Sequence, residues 1–468
     1  MINVVSFAGL NIAVFGLGIS GVTAALALQK SNAKVWAWDD SYNAREKAAV
    51  KGVNLVNLYQ CDWSKVGTLL LSPGVPFHYP RPSEIVSNAE EANCEIIGDI
   101  EILGRTQNEA RYVGITGTNG KSTTTALIGH ILKKTGCEVE TGGNLGVAAL
   151  ALKPLGARGI YVLEMSSYQL NLTKTINLSR AILLNLTPDH LERHGGMSGY
   201  IEAKKLIFSR QSPGSIAIIG VDDPNTYKIF TGLTSLSDRH IIPISIKDAI
   251  RRGIYVKNGI LVDDVYGEKK PVCDLKKVQG LRGKHNWQNI AAAYAATRSF
   301  GISIENILDA IHKFKGLRHR QELVTKIGRV LFINDSKATN PVSTAHALKC
   351  YNNIYWIAGG QAKEGSLDPI IASVQNIRHA FLFGEAARYI NFNLKDLISS
   401  RICADLKEAI HIAYKQVIKD KGEDAVVLLS PACASFDQFS NFEERGETFK
   451  KLVFKLKNES GSIDRGVI

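Results

Sequence analysis

"YVGITGTNGKSTTTALIGHIL", residues 112–132, carries the reading on which the fold turns. An apolar run, Tyr112 to Ile115, bends through Gly117 and Gly120. Lys121, Ser122 and three threonines follow, and then apolar residues recur at helical spacing. A strand that ends in a glycine turn and passes into a helix presents backbone N–H groups and a positive dipole end, which together favour phosphate. Lys121 adds a cation for the outer phosphates, and Ser122 or Thr123 offers a hydroxyl to a hard cation. The strict G-x-x-x-x-G-K-[ST] pattern fails by one position, because residue 115 is Ile and the glycine is residue 114. The loop is a shorter relative of that form. A structural turn that happens to contain Gly-Lys-Ser is the bland alternative, and the strand before, the helix after and the threonine run weigh against it.

Outward from this loop the same grammar repeats. "NIAVFGLG", "GIYVLEMSS", "RAILLNLT", "SIAIIGVDD", "VLFINDS", "NIYWIAGG", "AFLFGEA" and "AVVLLSPAC" read as buried strands that end in small or polar residues. Helical patterns such as "GVTAALALQKS" and "NIAAAYAATRSFG" stand between some of them. The alternation predicts an α/β protein of mostly parallel sheets flanked by helices. Ligands in such sheets bind beyond the carboxyl ends of the strands, which is where the polar residues fall. With 468 residues the chain has room for two to four domains. Composition shifts place three, at 1–99, 100–316 and 317–468: a Rossmann-like first domain, a central phosphate-loop domain and a Rossmann-like last domain. The tail "KNESGSIDRGVI" reads as frayed.

Hydrophobic residues make up 45% and charged residues 21%, ordinary for a globular protein. The net charge of +12 comes from Lys and Arg spread along the chain. With no basic block, this suits small polyanionic ligands rather than nucleic acid, although general compositional drift accounts for it equally well. Seven scattered cysteines form no C-x-x-C pair, which fits a reducing compartment. Residues 1–29 carry no charge, so the positive start of a signal peptide is missing, and Asn11, Gly16, Gly18 and Gly21 interrupt the apolar run. The expectation is a cytoplasmic protein without membrane insertion.

Four further features carry chemistry. Glu164 ends an apolar strand about forty residues after the loop, where phosphate-loop enzymes place a magnesium-holding acid. A strand-end glutamate is also a common cap, and the loop tips the reading to metal. "LLNLTPDHLERH" crowds Asn185, Asp189, His190, Glu192, Arg193 and His194 into ten residues. His190 there can ligate metal, donate to phosphate or serve structure. Lys204 and Lys205 read, by composition alone, as surface lysines. Gly16-Leu17-Gly18-Ile19-Ser20-Gly21 matches G-x-G-x-x-G, and Asp39 follows at dinucleotide-binding distance. That fingerprint shows only that a diphosphate and a ribose or sugar hydroxyl can fit; Asp40 beside Asp39 disfavours a 2′-phosphate, and so NADP. Near the C-terminus, "INDSKATNP", "IAGGQAKEGS" and "LLSPACASFDQFSNFEERG" each follow a strand with a dense polar string.

Taken in order, "GLGISG", "SPG" at 72–74, "GITGTNGKST", "TGGNLG", "LNLTPDHLERH", "GKHNWQN", "NDSKATN" and "LSPACASFDQFSNFEERG" resemble the Mur ligases, and among them the D-glutamate-adding branch. The resemblance runs through all three domains. It implies an ATP-dependent ligase that adds D-glutamate to UDP-N-acetylmuramoyl-L-alanine through an acyl phosphate, in peptidoglycan precursor synthesis. ATP and two magnesium ions are the implied co-substrate and cofactors, and the protein is expected to be a monomer. Ile19, Ser20, Asp39, Asp40 and Gly74 match uridine-nucleotide contacts, and Asn144 and His190 match residues near the diphosphate and metal. Gly117, Thr118, Asn119, Gly120, Lys121, Ser122, Thr123, Asn289, Arg320 and Asp335 match ATP contacts. Ser122, Glu164, His190 and Lys204, the last as a carbamate, match metal ligands; Lys121, His190 and Lys204 form the catalytic set. Thr339, Lys363, Ser435, Phe436 and Phe442 match positions that hold D-glutamate. Gly195-Gly196 departs from the bulkier residues expected there, and of the two arginines in "RHR" Arg320 takes the ATP role. Three readings stand beside this one: another amino-acid-adding ligase, including the folylpolyglutamate synthases; an NAD-dependent dehydrogenase, which leaves the second loop unused; and a regulatory NTPase, which needs no amino acid.

Overall fold

A computed structural model describes residues 1–144, 146–236, 240–362, 366–422 and 424–463. Its strands form three sheets. In the first, Asn11–Phe15 lies between Lys34–Trp38 and Thr68–Leu71, with Glu95–Ile97 outermost, all parallel. In the second, of nine strands, Arg111–Thr116 lies between Ile160–Glu164 and Leu178–Leu183, parallel to both. Val139–Gly143 flanks one side; Ile216–Gly220, His240–Ser245 and Ile254–Lys257 extend the other, before two antiparallel strands close the edge. The third sheet has six strands, with Val330–Asn334, Ala425–Leu429, Ile354–Gly359, Ile377–Phe383 and Ser399–Ile402 parallel and Glu322–Ile327 antiparallel at one edge. Every apolar run read as a strand is one.

The strand order around Arg111–Thr116 explains the site's position. The chain leaves this strand toward one side of the sheet and later returns on its other side, at Leu178–Leu183. A crevice opens at such a reversal, beyond the carboxyl ends. Thr116, Glu164 and Asn185 all stand at that end.

The chain divides into two compact units: 1–278 with 284–314, and 279–283 with 315–468. Within the first unit the two sheets share one core. Ala24, Ala25 and Leu28 of the helix Ile19–Lys30 pack in the same apolar cluster as Ala149, Leu150 and Tyr112. The N–H of Ile2 also bonds to the carbonyl of Leu150 at 2.8 Å.

Two expectations are corrected. The segment beginning at Lys457 is helical over its described part: the helix Phe442–Ile463 runs through it, Lys457 Nζ reaches Thr325 Oγ1 at 2.9 Å and Glu459 pairs with Lys455 at 4.0 Å. And Lys204 is no surface residue; it is 2% exposed, whereas its neighbour Lys205 reaches out to Glu202. The helix Met197–Ser209 turns one lysine toward the sheet and the next toward water. Gly195-Gly196 also finds its reason. A Cβ at Gly195 would meet the Tyr79 ring at 2.7 Å, and both glycines hold positive φ (+67° and +107°).

Candidate active site

The loop after Arg111–Thr116 takes a shape only glycine permits. Gly117 and Gly120 hold φ of +145° and +88°, and a Cβ on Gly120 would run into the amide oxygen of Asn289. Asn289, buried in the helix His285–Arg298, also accepts from Thr124 Oγ1 at 3.2 Å. Asn185 Oδ1 accepts the Asn119 N–H at 2.8 Å, and its amide donates to Gln288 at 2.8 Å. The loop is thus fixed from two sides before any ligand arrives. Lys121 curls back, its Nζ 2.9 Å from the Gly117 carbonyl and 2.8 Å from that of Thr118.

Lys204 approaches the same loop from behind. Its Nζ lies 2.9 Å from Thr116 Oγ1 and 3.1 Å from the Gly117 carbonyl. Burial, helped by the nearby positive charge of Lys121, pushes its pKa well below the usual lysine range, against a smaller opposing pull from Asp189 and Glu164. Tyr200, one turn earlier, sets its ring 5.4 Å from this nitrogen and its hydroxyl 3.1 Å from Thr118 Oγ1. Tyr200 thus links the buried lysine to the phosphate loop, a contact that no local sequence pattern announces.

Glu164 is buried at its strand end and accepts from the Asn144 amide at 2.9 Å. Thr123 Oγ1 is buried with no hydrogen-bond partner. Glu164, a buried carboxylate at a strand end beside the phosphate loop, and the hydroxyl of Ser122 in the first turn of the helix after it are hard oxygen donors of the kind magnesium prefers, so these residue types fit that ion. Among the described residues no cluster of three or more His, Cys, Asp and Glu side chains is suited to holding a metal. His190 is exposed on the turn Leu191–Arg193, in the left-handed region at φ +50°, and its Nε2 lies 3.7 Å from Asp189. It makes no hydrogen bond to Glu164 or Lys204. His194 is instead the buried histidine of this segment. It stacks on Tyr168 at 5.2 Å and meets Ser167 Oγ at 2.9 Å. Burial, with the charges of Lys204, His190 and Arg193, pushes its pKa down to about 4, so it is neutral at physiological pH.

The first glycine turn shows a division of labour between the two acids. Asp39 is occupied by backbone: its carboxylate accepts from the N–H groups of Leu17 at 2.6 Å and Ser41 at 2.8 Å. Asp40 is exposed and accepts from Tyr59 Oη at 2.9 Å. A cavity of about 390 Å³, lined among others by Gly18, Ile19, Ser41, Asn43 and Lys47, opens beside the turn. Gly74 is tied to the turn Leu191–Arg193, where Arg193 Nη1 donates to its carbonyl at 3.1 Å.

In the second unit, Asp335 stands at the end of Val330–Asn334, accepting from Ser430 Oγ at 2.8 Å and the Gln321 N–H at 3.1 Å. Burial raises its pKa to about 7, with the Arg320 charge pulling the other way. The N–H of Ala432 bonds to the carbonyl of Ala338 at 3.0 Å, which brings the Thr339 loop beside the turn bearing Ser435 and Phe436. Ser435 is buried and Phe436 exposed. Phe442 joins them through its carbonyl, which accepts from Ser336 Oγ at 2.8 Å. Lys363 lies outside the described residues. Arg445, unremarked in the sequence, binds these loops together: its fully buried guanidinium donates to Ser336, Gly359, Cys433 and Ala434. Its partners come from three strand ends far apart in the chain, so no local pattern announces it.

Comparison with known proteins gives a consistent picture. A profile described as the Mur ligase middle domain matches residues 115–297, and one described as the Mur ligase glutamate ligase domain matches residues 319–433. The chain is 46% identical to UDP-N-acetylmuramoylalanine–D-glutamate ligase of Caulobacter sp. strain K31, covering 97% of this chain and 98% of that one. It is 47% identical to the protein of the same name from Caulobacter vibrioides strain NA1000, covering 98% and 99%. Among solved structures, UDP-N-acetylmuramate-alanine ligase of Thermotoga maritima superposes with a TM-score of 0.59 at 16% identity, over 95% of this chain and 99% of that one, which speaks for the fold alone.

Proposed function

The chain belongs to the Mur ligase family, among its UDP-N-acetylmuramoylalanine–D-glutamate ligases, and from that membership we propose how its own residues divide the work. It is an ATP-dependent ligase that adds D-glutamate to UDP-N-acetylmuramoyl-L-alanine in peptidoglycan synthesis. The L-alanyl carboxylate attacks the γ-phosphorus of ATP, giving an acyl phosphate and ADP. The amine of D-glutamate then adds to the acyl carbon, and phosphate leaves as the amide forms.

Residues 1–99 take the uridine nucleotide, with the turn amides at Ile19 and Ser20 on the diphosphate and Asp40 and Gly74 at the nucleoside. Asp39 acts through the backbone it holds. Residues 100–316 take ATP. An incoming phosphate replaces the Gly117 and Thr118 carbonyls as partner of Lys121, and the loop N–H groups line its oxygens. Residues 317–468 take D-glutamate through Thr339, Lys363, Ser435, Phe436 and Phe442, with Arg320 and Asp335 completing the nucleotide contacts. Small anions are the partners, and the chain acts as a monomer in the cytoplasm; among the described residues no helix is long and apolar enough to cross a membrane.

The observation that carries the catalytic reading is the buried Lys204 amine against Thr116 and Gly117. Burial pushes the Lys204 pKa down and so favours the neutral amine, the form that adds to carbon dioxide, losing a proton and leaving an anionic carbamate. The carbamate supplies oxygen ligands where an ammonium would repel a cation. Ser122, Glu164, His190 and carbamylated Lys204 would hold two magnesium ions. Those ions, when bound, offset the charges of carboxylate and phosphate that otherwise keep the reactants apart. Lys204→Ala should lose essentially all turnover and regain part of it with millimolar formate or acetate. A variant that is inactive and stays inactive with both additives contradicts the carbamate.

A further inference from the structure

A single turn carries Arg320, and its backbone is strained on both sides. His319 and Gln321 hold φ of +60° and +46°, in the left-handed region that non-glycine residues rarely take. Such a turn persists only where its surroundings fix it. Glu322, the first residue of the edge strand Glu322–Ile327, does much of that fixing. Its Oε2 accepts the His319 N–H at 2.9 Å and the Asn334 amide at 3.3 Å, while its Oε1 accepts from Lys450 Nζ at 2.7 Å. Asn334 also reaches His319 Nδ1 at 3.0 Å.

The clamp is completed from the helix Phe442–Ile463. Lys450 pairs with Glu447 at 3.4 Å, and Glu447 takes Arg318 at 2.6 Å, on the other flank of the turn. Gly446, on the same helix, leaves no space for a side chain beside the His319 ring. The far side of the turn is tied to the site itself, since the Gln321 N–H donates to Asp335. Glu322 and Lys450 are less than one-fifth exposed, so their pair is shielded from water and holds its geometry better than a surface ion pair.

We propose that Glu322, braced by Lys450, is a positioning residue for nucleotide binding: it locks the His319–Gln321 turn so that Arg320 and Asp335 meet ATP in a fixed geometry. Glu322 and Lys450 touch no substrate in this scheme. The proposal rests on the reading of Arg320 as an ATP contact.

The test measures binding of a non-hydrolysable ATP analogue and of UDP-N-acetylmuramoyl-L-alanine to the full chain by calorimetry. Glu322→Ala should weaken the analogue about tenfold, the order expected for loss of a charged hydrogen-bonding clamp. Binding of the uridine nucleotide should not change. Glu322→Gln, which keeps an acceptor for the His319 N–H, should recover most of the loss. In an Arg320→Ala background Glu322→Ala should add much less than it does alone, because the turn then no longer presents the arginine and only its tie to Asp335 is left. If Arg320→Ala weakens the analogue while Glu322→Ala does not, or if the two losses add in full, the positioning role is overturned. If Arg320→Ala leaves analogue binding intact, the reading of Arg320 as an ATP contact falls, and the positioning role falls with it. Should Glu322→Ala fold poorly, Lys450→Met gives the same readout; unchanged analogue binding in a well-folded Lys450→Met then overturns the proposal.

Discussion

Lys204 and Asp335 are both ionisable groups whose chemistry is set by burial rather than by residue type. In Lys204, burial favours the neutral amine; in Asp335, it favours the neutral acid. For Asp335 this has a consequence for stability. Its pKa rises from 3.8 to about 7 on folding, so the folded state holds this proton more tightly than the unfolded one. Its contribution to stability is therefore full below the unfolded value and is lost as pH rises through the folded value. Asp335→Asn should remove that slope. Denaturant midpoints at about pH 5 and about pH 8 should differ less in the variant than in the parent, and equal pH dependence in the two would show that the acid is not held neutral. Neither environment was legible locally. Nothing near Lys204 in sequence separates it from Lys205, and only the resemblance singled it out. What decides between them is which side of one helix faces Thr116.

At the scale of elements, the strand–loop–helix unit at 111–134 was the most legible part of the molecule. Its glycines are required by backbone geometry, and the apolar run before and helical spacing after leave little freedom. The parallel sheets followed from the same alternation. Less legible were the contacts made between elements. Asn289 presses against Gly120 from a helix over 160 residues away in the chain, and Gly195 is small because Tyr79 packs on it. Arg445 and the Glu322 clamp likewise join segments that only the fold brings together. The Gly120 contact yields an expectation for the element as a unit. Gly120→Ala places a Cβ in a left-handed position, at ~1–2 kcal/mol from backbone alone, and drives it into Asn289. Binding of the ATP analogue should be lost while the uridine nucleotide still binds. Unimpaired analogue binding would mean that the loop does not hold phosphate in the shape described.

For the whole molecule, three sheets each end in loops with a different chemistry: an uncapped glycine turn beside an exposed acid, a phosphate loop backed by a buried lysine, and a cluster of small-residue turns drawn around one buried arginine. One reaction with three substrates accounts for all three, whereas a dehydrogenase leaves the second and third unused. A regulatory NTPase leaves the third unused and would hydrolyse ATP without regard to an amino acid. The most direct measurement is phosphate release by the purified protein with ATP, magnesium and UDP-N-acetylmuramoyl-L-alanine, repeated with single amino acids in turn. Release that appears with D-glutamate, and not with L-glutamate or with no amino acid, is the predicted result. Release that proceeds equally without any amino acid, or equally with another one, would contradict the account.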